Sequence, residues 1–477
     1  MQRGLVSCIR LSADPRRNVY SVITAGSDHR IVRVSSGLSI EVGDEVELDQ
    51  AGQSVARIIG NLGNASKYEK SALKVAKSYI HSPKKSGIKE LDSLTEKMQK
   101  SIKSAASLML TKIFLATPAV VRFHNDSDGA SGAYGIYLAL KELQKGEHAG
   151  DMLQISWRMH PGVSYSRGDA LEDIMLIRSY KTLSKPLLLL MDFGTTRESN
   201  EGIALAEKYF DIIWLDHHPI VDGFKKIEHY ISPWLFGGDS NYTAGFLACE
   251  FAKSFSNLDM RCIEHASLYG DYSTFYRKEN CGSRLSEVLD MITSDKRLAT
   301  SSGGTNLTPN EIDNIVNDKT KFEELLNFAK SRMSELFDIS LKRARNYSTK
   351  NADVYVLDFE KVRGDAASRY PLPGRFASKL LARISELSSR PCILALHFGP
   401  YISLRSSTNA KGIDLLKLVE KVKKNSSNIE SSGGHKEAVS IKLKDESEKS
   451  RTIKLIVDTI GAYPPSHTVL DALSQEG

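Results

Sequence analysis

Apolar positions along this chain keep three different rhythms, and each predicts a different kind of structure. Up to about residue 63 the rhythm is short. Val19-Tyr20-Ser21-Val22-Ile23, Arg30-Ile31-Val32-Arg33-Val34 and Ser54-Val55-Ala56-Arg57-Ile58 alternate or cluster β-formers, broken by Gly26, Gly37, Gly43 and Gly52. With the turn-like Val42-Gly43-Asp44-Glu45-Val46, this spacing predicts a small closed β-barrel of the OB or S1 kind over residues 1–63. From Ser66 to Lys112 the period lengthens, and Leu91, Leu94, Met98, Ile102 and Leu108 recur at helical spacing, predicting a helical linker over 64–112.

The third rhythm is continuous. Ala119-Val120-Val121-Arg122-Phe123, Leu187 to Met191 and Asp211-Ile212-Ile213-Trp214-Leu215 are unbroken buried-strand runs, each followed by a helix-like stretch. Such alternation predicts an α/β fold with a parallel sheet covered on both faces, here over 113–300. Ser294 to Asn310, with Ser301-Ser302-Gly303-Gly304, reads as a loop, and Lys321 to Arg345 as a helix; together they predict a connector over 301–345. A second, smaller α/β region over 346–465 opens on Asp353-Val354-Tyr355-Val356-Leu357 and Cys392-Ile393-Leu394-Ala395-Leu396, and ends near Tyr463-Pro464-Pro465.

Charge sharpens one part of this picture. The whole chain carries a formal net charge of +6, yet Ser66–Lys112 alone holds eleven lysines against four acids, a local balance of +7. That excess suits either a solvated helix face or a segment that draws in a polyanion by counterion release. Tyr20 is the only aromatic residue in the predicted strands of the N-terminal barrel, which argues against a strong base-stacking platform there. No apolar run approaches the ~20 residues of a membrane span, and the N-terminus lacks the order of a signal peptide. Cys8, Cys249, Cys262, Cys281 and Cys392 lie far apart with no C-x-x-C, a pattern of free thiols in a reducing compartment, taken as the cytoplasm.

Chemistry gathers where the predicted strands end. His124-Asn125-Asp126-Ser127-Asp128-Gly129 follows the first run, Asp192 the second and Asp216-His217-His218 the third, while Leu268-Tyr269-Gly270 leads to Asp271. All four are read as strand-like approaches ending on the edge where parallel sheets present ligands. Any one of them is ordinary, since strand-end aspartates commonly cap helices. Together they predict a divalent-metal cluster of hard oxygen ligands and imidazoles, suited to manganese or magnesium. Two ions ~3.5–4 Å apart need a bridging carboxylate, and Asp192, alone at its strand end, is the candidate.

These motifs resemble motifs one to four of the DHH phosphoesterase superfamily. Ser432-Gly433-Gly434-His435-Lys436-Glu437-Ala438 resembles the Gly-Gly-His signature of the associated DHHA1 domain, and Pro373 to Leu380 and Ser403-Leu404-Arg405-Ser406 resemble its other recurrent segments. The order and spacing over roughly 113–460 are similar to those of RecJ-like nucleases, particularly the archaeal type with an N-terminal extension. The resemblance implies that Asp126, Asp128, Asp192, His217 and Asp271 are metal ligands, with His124 and Asp216 in the same set or, for Asp216, orienting an imidazole. It implies that Asp192, His217 and His218 act in catalysis, with His218 on the scissile phosphate, and that Arg405, Gly433, Gly434 and His435 hold substrate phosphates. Two positions depart from the pattern: bacterial RecJ-type proteins carry aspartate in place of His124, and Val439-Ser440 replace the glycine expected after Ala438.

Three functions follow from the resemblance. The first is an exonuclease releasing nucleotides from single-stranded DNA or RNA with two manganese or magnesium ions. The second is a phosphodiesterase for short oligoribonucleotides or cyclic dinucleotides, whose relatives have little chain ahead of the first motif. The third is a replisome scaffold that docks the GINS complex and the replicative helicase.

Overall fold

The computed structural model describes residues 3–12, 14, 17–24, 31–34, 36, 38–49, 54–61, 65–145, 154–162, 164–225, 227–275, 280–295, 307–364, 370–410 and 412–462. The predicted loop at Ser301–Gly304, the breaks at Gly26, Gly37 and Gly52, and the end at Tyr463-Pro464-Pro465 lie outside them. The chain forms two compact units, Met1–Glu323 and Glu324–Gly477.

The first unit opens with β1 (Arg3–Arg10), β2 (Val19–Ile23), β3 (Ile31–Val34), β4 (Asp44–Leu48) and β5 (Val55–Asn61), an antiparallel sheet in the order β3-β2-β1-β4-β5. Val6, Tyr20, Val22, Val34, Val46 and Leu48 form its core, so Tyr20 is a packing residue. No β3–β5 pairing closes the predicted barrel among the described residues. A three-residue strand from farther along the same unit joins β1 instead, as described below.

Two helices follow, α1 (Ala65–Tyr79) and α2 (Lys89–Phe114). Leu91, Met98 and Ile102 are buried on α2, as their period requires. Lys112 departs from the solvated-lysine picture. It is 6% exposed, with Nζ 2.5 Å from Asp211 and 2.8 Å from the Lys185 carbonyl oxygen.

The α/β layer then runs β6 (Ala119–His124), α3 (Ser127–Leu143), β7 (Ile155–His160), α4 (Arg167–Ile177), β8 (Tyr180–Thr182), β9 (Leu187–Met191), α5 (Arg197–Ala206), β10 (Asp211–Leu215) and β11 (His229–Ile231). Five of these strands make a parallel sheet ordered β11-β10-β9-β6-β7. Alternate residues serve opposite faces. Val120, Leu188, Leu190 and Trp214 pack with Tyr165, Ala170 and Ile203 from the α4–α5 side. The other face meets α3 and α6 (Ala244–Lys253), backed by α7 (Arg261–Gly270), α8 (Cys281–Ser294) and α9 (Pro309–Asn317). β8 is the sixth strand of the N-terminal sheet, pairing antiparallel with β1 through Cys8↔Thr182. Helix α10 (Lys319–Arg343) carries the chain across the unit boundary.

The second unit contains β12 (Arg345–Ser348), β13 (Asp353–Asp358), α11 (Phe359–Arg363), α12 (Pro373–Leu387), β14 (Cys392–Phe398), β15 (Tyr401–Ser406), α13 (Leu415–Asn425), β16 (Ile429–His435), β17 (Ala438–Leu443) and α14 (Lys449–Gly461). Its mixed sheet runs β12-β13-β14-β15-β17-β16, with β13 and β14 parallel. Ile393, Ala395, Ile402 and Leu404 pack under Leu418, Val422, Ile456 and Ile460 of α13 and α14. Helix α12 packs against β14 and β15. All five cysteines are free, and no helix among the described residues is long and apolar enough to cross a membrane.

Candidate metal centre

The parallel sheet reverses its direction of growth between β6 and β9. From β6 the chain steps outward to β7, then returns to β9 and continues through β10 to β11. Ligands in open α/β sheets collect at the carboxyl ends of the strands beside such a switch. His124 closes β6 and Asp192 follows Met191 at the end of β9, one on each side of it.

Each neighbouring side chain is held by a separate local rule. Asp126 is the N-cap of α3, and its Oδ1 accepts from the Gly129 amide at 3.0 Å, while Oδ2 lies 2.8 Å from His124 Nδ1. Gly129 is needed there, because a Cβ would stand 2.5 Å from the His124 carbonyl oxygen. Asp128, in the first turn of α3, is fully buried. Its oxygens accept from the Ala244 amide at 3.0 Å, the Gly245 amide at 2.8 Å and the Ser267 hydroxyl at 2.5 Å. The amino end of α6 thus positions this carboxylate.

Asp192 joins the parts. Its φ of +63° lies in the left-handed region, a conformation that costs a non-glycine residue ~1–3 kcal/mol and clusters at functional sites. Its amide still donates to the Leu215 carbonyl at 3.0 Å. The two carboxylate oxygens face different neighbours. Oδ2 is 3.4 Å from His124 Nδ1, and Oδ1 is 3.4 Å from His217 Nε2.

His217 is 2% exposed, and its Nδ1 is 2.9 Å from the Ser240 carbonyl oxygen. In the neutral ring that contact makes Nδ1 the donor and turns Nε2 toward the carboxylates. Nε2 lies 3.2 Å from Asp271 Oδ2 and 3.9 Å from Asp128 Oδ2. Asp271 corrects an expectation, for it ends no strand. It is the C-cap of helix α7, and Gly270 before it lets that helix approach Ser127, which a Cβ would strike.

The electrostatics show a surplus of negative charge seeking a cation. Burial and then the charges of Asp192 and Asp271 hold the Asp128 carboxyl well above its ordinary range. Burial, then Asp126 and Asp192, push Asp271 up to about 6, with His217 pulling the other way. Burial opposes charge on His124 and His217, but the surrounding carboxylates outweigh it and raise both imidazoles well above their ordinary value. Asp192, buried but held by those two imidazoles, falls well below the carboxylate range.

Among the described residues three groups could hold a metal ion: His124, Asp126 and Asp192; Asp128, His217 and Asp271; and Asp192, His217 and His218. Within each group the candidate ligand atoms lie within 4.8 Å of one another. The first two share no residue, and Asp192 faces both. Oxygens with imidazole and no thiolate fit a hard or borderline divalent cation.

Asp216, expected among the metal ligands, stands outside all three groups. It is fully buried. Its Oδ1 accepts from the His218 amide at 3.2 Å and lies 2.8 Å from His218 Nδ1, while Oδ2 accepts from the Tyr230 hydroxyl at 3.3 Å. Its place is behind His218, whose orientation it sets. His218 itself stacks edge-on to His217 at 4.8 Å between ring centroids.

The residues expected to bind substrate phosphates belong to the second unit. Arg405, on β15, donates Nε to Ser378 Oγ at 3.0 Å and Nη1 to the Leu404 carbonyl at 2.9 Å. Gly433 is open, and Gly434 has φ +137° with a Cβ position blocked by the Ala438 carbonyl, so glycine is required there. His435 ends β16, and its side chain lies outside the described residues. Sequence reasoning misses Ser240, Ser267, Tyr230 and the amides of Ala244 and Gly245. Gly245 is a usable signal, since its missing Cβ makes room for Asp128; a lone serine or tyrosine carries none.

No family model matches the chain. An uncharacterized protein from Methanocaldococcus jannaschii is 29% identical over 174 residues, which cover 33% of this chain and only 23% of that relative's length. A DHH-domain structure described as a member of the s1p family of ribosomal proteins has a TM-score of 0.71 at 20% identity, covering 83% of this chain and 98% of the other. RecJ in complex with Mn2+ from Thermus thermophilus has a TM-score of 0.51 at 17% identity, covering 77% of this chain and 55% of the other. At these identities the likeness is one of architecture. The chain has the fold of the DHH-domain proteins.

Proposed function

We propose that this chain is a metal-dependent phosphodiesterase of the DHH superfamily, and within it a RecJ-like exonuclease that releases nucleotides from single-stranded DNA or RNA. The observation that supports this reading most is Asp192, whose two oxygens face two ligand groups 3.4 Å away on either side. A bridging carboxylate between paired sites is what two-metal phosphoryl chemistry requires.

In this reading His124, Asp126 and Asp192 would hold one manganese or magnesium ion and Asp128, His217 and Asp271 a second, with Asp192 facing both groups. Bound, the ions would activate water and neutralise charge on the phosphoryl oxygens. The protein's own part is positional. Asp216 and Tyr230 fix the ring of His218, which donates to the scissile phosphate and stabilises charge as it develops. Arg405, Gly433, Gly434 and His435 are assigned to binding substrate phosphates. We assign residues 1–63 to the N-terminal β domain, 64–112 to the helical linker, 113–300 to the catalytic domain, 301–345 to the connector and 346–465 to the DHHA1-like domain. Single-stranded nucleic acid is the substrate, and GINS with the replicative helicase are the proposed partners.

The test is an end-labelled single strand of DNA or RNA incubated with the full chain and manganese. A ladder that disappears in Asp192→Ala is the expected result, with a loss of about 10³-fold or more. Cleavage confined to substrates of a few nucleotides would overturn the exonuclease in favour of a small-substrate phosphodiesterase. No cleavage of any strand, with GINS co-purifying, would overturn catalysis in favour of a scaffold.

A further inference from the structure

The second unit contains a cavity of about 820 Å³ that none of the expected substrate residues lines. Asp358 and His397, paired at the carboxyl ends of the parallel strands β13 and β14, stand at its wall. Arg405 belongs to the other end of the same sheet, for it pairs with Leu394 on one side and with Ala438 on the other. Ala438 pairs with His435 in turn. Leu394 and His397 are three positions apart on β14, ~10 Å at the usual strand rise. The cavity is therefore a different place from the expected phosphate grip.

Its walls have three kinds of lining, and each favours part of one ligand. Arg343, Arg345, Lys361, Lys449 and Lys454 face the carboxylates of Asp358 and Asp458 alone, an excess of cations. Lys361 is taken up by Asp358 at 3.5 Å, and Lys449 by Glu446 at 2.8 Å. Arg345 and Lys454 are exposed and have no ion-pair partner among the described residues. Two uncommitted cations at the mouth of a cavity suit a phosphate group. The apolar wall is Val356, Ile453 and Val457, with Tyr347 beside it, a residue 41% exposed on the edge strand β12. An accessible aromatic ring is a platform for a base.

His397 supplies the third element. Its Nδ1 is buried without a hydrogen-bond partner among the described residues, a loss of ~1–3 kcal/mol unless a ligand makes it good. Burial, reinforced by Lys449 and Lys361 and only partly offset by Asp358, holds this imidazole below its ordinary value. A neutral ring offers one donor and one acceptor, which suits a ribose or a base edge better than a phosphate. The volume also decides between ligands. It falls within the ~300–1,000 Å³ of small-molecule sites, whereas a passing strand needs an open groove.

We propose that this cavity binds a nucleoside phosphate, with Arg345 and Lys454 on the phosphate, Tyr347 on the base and His397 on the ribose or base edge. The test is calorimetric titration of the full chain with AMP in EDTA. The charge-reversed variant Arg345→Glu/Lys454→Glu, altered at two exposed positions, should weaken AMP about tenfold or more. The neutral pair Arg345→Gln/Lys454→Gln should fall between it and the parent. Tyr347→Ala should weaken AMP several-fold while leaving inorganic phosphate binding unchanged. Hydrogen exchange at 345–348 and 449–458 should slow when AMP is added. Parent-like AMP affinity in the charge-reversed variant would overturn the proposal. So would inorganic phosphate binding as tightly as AMP, which would mark a plain anion site. A single-stranded oligonucleotide that binds far more tightly than AMP, and is lost with the same variant, would overturn it too, by making the cavity part of a nucleic-acid track.

Discussion

The first unit buries two kinds of carboxylate cluster, and they differ in where the balancing charge comes from. Beneath α4, Arg122 reaches from the middle of β6 to Asp173 at 2.7 Å, Asp169 at 3.2 Å and Glu172 at 2.9 Å, with the Tyr165 hydroxyl donating to Asp173 at 3.0 Å. Between α6 and α7, Lys253 stands 2.5 Å from Glu250 and 2.6 Å from Glu264. In both, the chain supplies a permanent cation. At the carboxyl edge of the same sheet, Asp126, Asp128, Asp192 and Asp271 converge, and among the described residues the groups paired with them are imidazoles. A protein that can place an arginine two residues before His124 on the same strand has left the edge to be balanced from outside. That contrast separates a structural charge cluster from one built to take a metal.

Removing the internal cation should cost most. Arg122→Met leaves Asp173, fully buried, without its counter-charge, and breaking such a buried pair costs about 3–5 kcal/mol. Denaturant unfolding of parent and variant measures it. A loss below about 1 kcal/mol would mean the network is dispensable and the comparison has no energetic content.

The lysine cluster can be read through pH. Burial, then the pull of Lys253 against the charge of Glu264, leaves Glu250 raised from 4.5 to about 7. The acid is therefore more readily protonated in the folded state. Its contribution to stability is fully present below pH 4.5 and is lost as pH rises through about 7. In Glu250→Gln that loss disappears, so the fall in unfolding free energy across the same window should shrink, by about 3 kcal/mol at most. Identical pH slopes in parent and variant would place Glu250 in its ordinary range.

The edge cluster should respond to added metal. Saturating manganese binds the folded chain and raises its stability by about 2.7 kcal/mol at a hundred times the dissociation constant. Asp192→Ala should abolish most of that gain, whereas Arg122→Met should keep it. Equal stabilisation of parent and Asp192→Ala would locate the metal elsewhere.

How much of this is legible in the residues depends on burial. β6, β9 and β10 are readable because a central parallel strand is apolar on both faces, as Leu187 to Met191 is. β7 is not, since Ser156 and Arg158 interrupt it at the edge of the sheet. β8 has three residues and owes its existence to pairing with β1, a contact that no local pattern announces. Asp271 is legible, but the run before it reads as a strand. Leu268-Tyr269-Gly270 is too short for a period to distinguish strand from helix, and the helix shows only over Arg261–Gly270 as a whole. Lys112 passes for a solvated lysine because charge counting has no depth. The residues that cluster are legible where an apolar run ends in a carboxylate or imidazole; supporting partners such as Ser240 and Ser267 come from distant loops and helices.

Asp216 tests the finest part of the comparison, the difference between a carboxylate that binds a cation and one that aims an imidazole. Its oxygens are already engaged by His218 and Tyr230. If it ligated, Asp216→Asn would lower manganese affinity and stabilisation as Asp192→Ala does. If it orients, the variant keeps an oxygen for the His218 amide but loses the full charge that holds the His218 ring, and loses turnover about 10- to 100-fold. Manganese-dependent stabilisation would then stay near that of the parent. Burial opposes charge on His218, and Asp216 is the largest influence raising it. Asn should therefore move the descending limb of the activity profile, where His218 loses its proton, to lower pH, with Tyr230→Phe giving a smaller shift in turnover and no change in metal affinity. A loss of metal affinity in Asp216→Asn as large as that in Asp192→Ala would return Asp216 to the ligand set.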